Sequence, residues 1–394
     1  MRSGVTMLVP VLLAVILPAC ALPYYTQAVR GQVGLLRQRV PIEEVIADAE
    51  VSAETRDRLR LAAELRRFAI GRIGLPDNDS YTSFVALERD FVVWNVVAAA
   101  EFSVEPLTWC FPVAGCVAYR GYFDRARAEE FAAKLEARGL DTFIGGAAAY
   151  STLGYFADPI LDTMLGRGET EIAAILFHEL AHQRIYVKGD TELSESFATA
   201  VEQYAVEAWL ESRNASLELA EYRESLARQA EFAELVALQR DRMADVFAAA
   251  TGVAEMRTAK AEAYAAMRRD YEALRESWGN AADFNGWFAD EFNNARLVAL
   301  TSYRRWVPGL RHRLEVLGPG AFYLEVGDVV ELEPDQRVLR LEAWNRDSAV
   351  AAIADRGELV DVAAQTGPND GLHRPGNDPE GREAVVAADA GDGQ

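Results

Sequence analysis

Two of the chain's four histidines stand four residues apart, in the run His178-Glu179-Leu180-Ala181-His182. The surrounding segment is apolar and reads as helix. Four residues is just over one turn, so both imidazoles project from one face and can grip a single metal ion. Glu179 precedes the second histidine by three residues, which lets its carboxylate reach a water on that metal. The alternative is a helix with two unrelated surface histidines and a solvated glutamate. In so histidine-poor a chain, the spacing points to a metal site instead.

This spacing is the HExxH arrangement of zinc peptidases. A zinc ion held by two histidines needs another protein ligand and keeps a coordination position for water. Glu192, Glu195 and Glu202 are the downstream candidates. Ser194 reads as an N-cap, which puts Glu195 in the first turn of a second helix, where the dipole alone would also favour an acid. Glu202 lies two turns further along roughly the same face, suited to a place behind the ligands. In thermolysin-like zincins of the gluzincin type the third ligand is a helical glutamate with a small residue three later, and Glu195 and Ala198 resemble that pattern. Only twelve residues separate His182 from Glu195, so the connecting loop must be tight.

The N-terminus reads as an export signal. Met1-Arg2-Ser3-Gly4 carries one positive charge, Val5 to Leu17 is apolar, and Leu17-Pro18-Ala19-Cys20 follows. The apolar stretch fits a secretory signal and is too short to span a bilayer comfortably. Leu-x-Ala-Cys resembles the bacterial lipobox, so residues 1–19 are expected to be a lipoprotein-type signal peptide and Cys20 the lipidated mature N-terminus. That implies the periplasm, with membrane contact through the lipid anchor only. Ala21, in place of an inner-membrane-retention aspartate, favours the outer membrane. Ordinary cleavage near Ala19 or Ala21, or an uncleaved anchor, are the alternatives. Cys110 and Cys116 are the remaining cysteines; in an oxidising compartment they can close a small structural disulfide loop, and their spacing does not suit a zinc pair.

The chain has 61 acidic and 40 basic residues, a formal net charge of −21. A surface so acidic repels nucleic acid and anionic lipid as partners. Half of the residues are hydrophobic, enough for a substantial core with room for two lobes.

Along the chain, Ser52 to Ala69 repeats Leu59, Leu61, Leu65 and Phe68 at helical spacing. Phe91 to Val97 is strand-like, Val117 to Phe123 suits another strand, and Asp124 caps a helix that Gly139 stops. Thr142 to Ser151 reads as a strand softening into small residues, Pro159 to Leu165 as a turn or short helix, and Thr170 as the cap of the histidine helix. Ser194 to Glu276 is overwhelmingly helical, with breaks near Asn214 and Thr251-Gly252. A further helix is expected from Asp290 to Trp306, halted by Pro308. From Thr366 onward apolar residues nearly vanish, so 366–394 is expected to be a disordered tail after a 20–365 catalytic domain.

Several runs together carry a family resemblance: Tyr119-Arg120-Gly121-Tyr122-Phe123, Leu140 to Gly146, Ala149 to Gly154, His178 to Gln183, Ser194 to Ala198, and Asn293-Asn294-Ala295-Arg296-Leu297 with Tyr303 and Pro308. From Cys20 to Leu317 the chain resembles a bacterial family of predicted zinc aminopeptidases, many of them lipoproteins. Ser194 stands where an asparagine is commoner in that family. The resemblance implies a predominantly helical α+β fold: a zincin-like catalytic core with a small sheet, an active-site helix and long C-terminal helices. It implies one Zn2+ ion held by His178, His182 and Glu195, with a peptide as substrate.

In such a site Glu179 would serve as general base, taking a proton from water and passing it to the departing amine. Tyr150, Tyr186 and Tyr303 are candidate donors to the developing oxyanion, each by default a packing tyrosine. The strand before the histidine helix offers an edge for aligning a peptide. The rival reading from a different class is a helical lipoprotein that binds partners and keeps the zinc as a structural ion. An intact Glu179 argues for the enzyme. Substrate preference, exopeptidase restriction and oligomeric state are left open.

Overall fold

The computed structural model describes residues 22–111, 115–249, 252–279, 281, 284–288, 292–301 and 305–355. The export signal with Cys20, the residue Tyr303 and the tail 366–394 lie outside the described residues. The described residues up to Ala349 form one compact unit; of the second, Val350–Gln394, only the last turn or so of a helix is described. The fold is α+β and predominantly helical. No helix among the described residues is long and apolar enough to cross a membrane.

The first helix, α1 (Leu22–Gln38), is followed by β1 (Val40–Pro41), α2 (Ile42–Ala47) and α3 (Ala53–Phe68). The hydroxyl of Ser52 caps α3 by accepting from the Thr55 N–H at 3.0 Å. Next come β2 (Ser83–Val85), β3 (Val93–Ala100), β4 (Trp109–Phe111), β5 (Gly115–Val117) and β6 (Arg120–Tyr122). The Val117–Phe123 segment is thus the end of one strand and the whole of another, with a break between. Strands β4 and β5 are antiparallel and clasped by the Cys110–Cys116 disulfide. Asp124 caps α4 (Arg125–Glu136), and Gly139, at φ +80, turns the chain into β7 (Leu140–Ala147).

The sheet that matters for the site is antiparallel, in the order β6-β3-β7. Its residues alternate between faces: Val96 and Ala98 pack under α4 with Ala128 and Ala132, and Val97 and Ala99 pack on the other face with Val298. The outer edge of β6 is covered by α1. There the Gln27 amide donates to the Gly121 carbonyl at 3.3 Å and accepts from the Phe123 N–H at 3.2 Å. This approach requires glycine at position 31, where a Cβ would fall 2.2 Å from the Phe123 ring.

The edge of β7 is different. Its Ala147 carbonyl faces β3, accepting from the Val92 N–H, whereas the Thr142 carbonyl faces away and accepts from the Asn293 amide. By the same alternation Ile144 and Gly146 turn their backbone groups outward. No strand pairs with that edge among the described residues. The strand ends at Ala147 because Ala148 already serves another element, its carbonyl accepting from Thr163 at 2.6 Å.

A second small sheet joins β1, β2 and β8 (Ile160–Leu161), and α5 (Asp162–Leu165) leads to α6 (Glu169–Arg184) and α7 (Thr191–Ser212). Helix α6 is buried around most of its circumference: Ile172, Leu176, Phe177 and Leu180 are each at most 1 % exposed. Its cap is Gly168 and not Thr170, because the Glu171 carboxylate reaches back to the Gly168 N–H at 3.0 Å. Small residues, Ala173 and Ala181 on α6 and Ala198, Ala200 and Ala205 on α7, are buried where the two helices pack.

The long helices α8 (Ser216–Ala249) and α9 (Val253–Ser277) follow, and build a satellite core around Phe232, Met267 and Tyr271. Asn214, at φ +54, makes the turn between α7 and α8, and Gly252 caps α9. Of the helix expected over 290–306, α10 covers Asn294–Thr301; residues 292–293 and 305–306 are not helical, and 290–291 and 302–304 lie outside the described residues. Pro308 starts a helix instead of stopping one, sitting in the first turn of α11 (Val307–Val330), where its missing N–H is no loss. Helix α11 bends at Gly318-Pro319 and lays Phe322 on Phe197 of α7, rings stacked at 5.9 Å, before α12 (Pro334–Asp355) ends the described chain.

Candidate active site

His178 and His182 lie on α6 and Glu195 and Glu202 on α7, so the hairpin of the two helices assembles the polar cluster in an otherwise apolar core. The loop between them is closed by Ser194. Its buried hydroxyl accepts from the Val187 N–H at 3.0 Å and donates to the Asp190 carbonyl at 2.9 Å. Ser194 is therefore inside the helix and not its cap. The cap is Asp190, whose carboxylate accepts from the Leu193 N–H at 3.0 Å. Glu195 thus sits in the second turn of α7, and burial against His178, not the first-turn dipole, defines its surroundings.

The three candidate ligand atoms converge. His178 Nε2 is 3.1 Å from His182 Nε2 and 3.3 Å from Glu195 Oε2, and His182 Nε2 is 3.5 Å from Glu195 Oε2. A tetrahedral metal with bonds of roughly 2.0–2.1 Å has ligand–ligand edges of about 3.3–3.4 Å. The cluster His178, His182 and Glu195 matches that triangle and could hold a metal ion. Glu202 Oε2 sits on the opposite ring nitrogen, 3.0 Å from His178 Nδ1. A carboxylate only accepts, so Nδ1 carries a proton, and with an ion bound Nε2 would turn its lone pair toward the triangle. Two nitrogen lone pairs and a carboxylate at these separations repel unless a proton or a cation lies among them. Glu192 stands outside this cluster.

The electrostatics say the same. Burial lowers the His178 pKa, but its bonds to Glu195 and Glu202 outweigh that and hold it well above the ordinary value. Burial pushes Glu195 upward, and the hydrogen bonds and charges of His178 and His182 overcome this and keep it ionised far below the usual carboxylate range. Glu179 goes the other way: burial raises it, against the pull of the two histidines. One carboxylate is poised to bind a cation, and the other, raised by burial, is better suited to taking up a proton.

These residues form one wall of a cavity of about 970 Å³. Its opposite side is the face of the β6-β3-β7 sheet that bears Asn95, Val97, Phe143 and Gly145. Tyr186 and Tyr150 also line it. The Tyr186 ring lies 6.2 Å from that of His182, and its phenol is raised by burial and by Glu195. Tyr150 packs edge-on against Phe123, its phenol pushed up to about 12 by burial.

The family described as Putative aminopeptidase matches residues 23–341. The chain belongs to that family. The family span runs from α1 into α12 and takes in the whole cavity, the sheet and both helices of the cluster. No curated protein and no solved structure matches the chain. Family membership supports a peptidase, and the residues above are where its chemistry would reside.

Three features of the site carry no signature in the sequence. Asn95 is a lone amide in a valine-rich strand. Asp158, 1 % exposed, accepts from the Thr152 N–H and hydroxyl, each at 2.8 Å, and so fixes the loop bearing Leu153, Tyr155 and Phe156. Tyr81, 2 % exposed and at φ +62, donates its N–H to the Asp158 carbonyl at 2.6 Å. Its phenol is held well above the ordinary value by burial and by the carboxylates of Glu179 and Asp158. A tyrosine with positive φ is a strained choice, and it sits behind the base of this site.

Proposed function

We propose that the chain is a zinc-dependent peptidase that trims peptides as an aminopeptidase, anchored by a lipid on Cys20 and working in the periplasm, most readily at the outer membrane. The observation that carries the catalytic part is the triangle of His178 Nε2, His182 Nε2 and Glu195 Oε2, with edges of 3.1, 3.3 and 3.5 Å, backed by Glu202 on His178 Nδ1. His178, His182 and Glu195 would hold the ion, which when bound supplies a Lewis acid and a more acidic water. Glu179 accepts a proton from the attacking water and returns it to the departing amine, a task its raised pKa favours. Ile144 and Gly146 offer outward backbone groups to which an extended peptide can add as a further strand. The location rests on the sequence features of residues 1–20 alone.

The test is metal analysis and peptide hydrolysis by purified wild type, Glu179→Gln and His178→Ala. Wild type should carry about one zinc per chain and cleave a peptide library from the N-terminus. Glu179→Gln should keep the zinc and lose turnover by about 10²–10⁴-fold, and His178→Ala should lose both. A metal-free wild type, or a Glu179→Gln protein that cleaves as well as wild type, refutes the reading.

A further inference from the structure

Asn95 is the third residue of the central strand, and both of its cross-strand partners are glycines: Gly121 on β6 and Gly145 on β7. A Cβ at Gly121 would come within 3.2 Å of Asn95 Oδ1, so the missing side chain is what leaves the amide uncovered on that side. Val93 and Val97 lie two residues away along the same face, and Phe143 and Val298 line the same cavity. Asn95 makes no side-chain hydrogen bond among the described residues, and it is only partly buried. An amide placed on an apolar floor between two glycines, with its donor and acceptor open to a cavity, is arranged for a ligand that brings both an acceptor and a donor.

The rest of the lining narrows that ligand. Among the described residues, the cavity has no Lys, Arg or Asp, and its only carboxylates are Glu179 and Glu195 of the site itself. A charged side chain lodged over the sheet, away from the metal cluster, would lose its water without gaining a counter-charge. Building on the peptidase reading, we infer that Asn95 is a substrate-recognition residue that pairs with a peptide group of an uncharged, apolar segment, and that the cavity excludes charged side chains. The paired glycines place no side chain beside the amide on either neighbouring strand, so that segment can approach it.

The test measures peptide binding to the zinc-loaded Glu179→Gln protein, whose turnover should be slow enough for binding to be read. A Phe-containing tripeptide should bind about a hundredfold more tightly than the same peptide with Glu or Lys in place of Phe. Adding Asn95→Leu, a residue at home in a strand, should weaken the Phe peptide about tenfold while the zinc content stays at one per chain. An unchanged affinity in the Asn95→Leu protein, or equal affinity for the charged peptides, overturns the inference. Should Asn95→Leu fail to fold, the isosteric Asn95→Asp decides: it should bind the Lys peptide about tenfold better than the Asn95 protein, and no gain overturns the inference. If no peptide of any kind binds the zinc-loaded protein, the peptidase reading itself falls and takes this inference with it.

Discussion

Glu202 Oε2 lies 3.0 Å from Nδ1 of His178, on the far side of the ring from Glu195, so one imidazole is held between two carboxylates that stand two turns apart on the same helix. The spacing of seven residues between Glu195 and Glu202 keeps both on the face of α7 that meets α6. Glu202 fixes the ring's tautomer and direction, and Glu195 shares the metal side.

Removing Glu202 should therefore weaken the metal site without removing a ligand. Glu202→Ala is expected to lower metal affinity by roughly 10–100-fold, and Glu202→Gln, which still accepts from Nδ1–H, by less. Competition against a chelator of known affinity measures this. Equal affinities in all three proteins would remove Glu202 from the site.

The loop between the two helices makes a stability prediction. Ser194→Ala strands the buried Val187 N–H, which has the Ser194 hydroxyl as its acceptor. A buried donor left without a partner costs about 1–3 kcal/mol. Urea unfolding should show that loss as a lower midpoint at unchanged slope.

Much of this architecture was legible because its cues are local. Leu59, Leu61, Leu65 and Phe68 mark a helix by their spacing, Asp124 caps the one that follows it, Asn214 and Gly252 interrupt the long helical region, and His178, Glu179 and His182 need only the 3.6-residue turn to meet. Thr170, Ser194 and Pro308 misled because each is a suitable boundary residue close to a real boundary. Which one caps is decided by the side chain that reaches a free N–H: Glu171 for Gly168, Asp190 for Leu193. Asn95 and Asp158 were invisible for another reason. Their roles depend on cross-strand register and on how a loop closes, and neither is written within a few residues of them.

Asp158 supplies a pH prediction. Burial raises its folded pKa, only partly offset by the hydrogen bonds from Thr152 and Ser151 and by the charge of Arg39. The folded chain then holds a proton that the unfolded chain releases, so this group's contribution to stability is full below the unfolded value of about 3.9 and declines as pH rises through the folded one. Asp158→Asn lacks that titration. The wild-type advantage in Tm over Asp158→Asn should be largest near about pH 4 and shrink toward about pH 7. A difference that is flat with pH, or grows, would show that Asp158 is not held protonated by burial.

The oxyanion donor can be assigned by comparing two tyrosines that line the same cavity. Tyr186 follows His182 by four residues, just past the end of α6, with its ring 6.2 Å from the imidazole and its hydroxyl in the field of Glu195. Tyr150 rests edge-on against Phe123, and neither His178 nor Glu195 contributes to its shifted pKa. A donor that acts on the developing charge affects kcat more than KM, because that charge exists only in the transition state. Tyr186→Phe is expected to lower kcat by about 10²–10³-fold with KM within about threefold of wild type, the size seen when one such donor is removed. Tyr150→Phe should leave kcat within about threefold, since it keeps the ring packed against Phe123 and removes a hydroxyl whose pKa shift owes nothing to the metal cluster. Steady-state kinetics on an apolar dipeptide amide, with zinc content checked in each protein, separates the two. A Tyr186→Phe enzyme with normal kcat, or a Tyr150→Phe enzyme that loses it, would reverse the assignment.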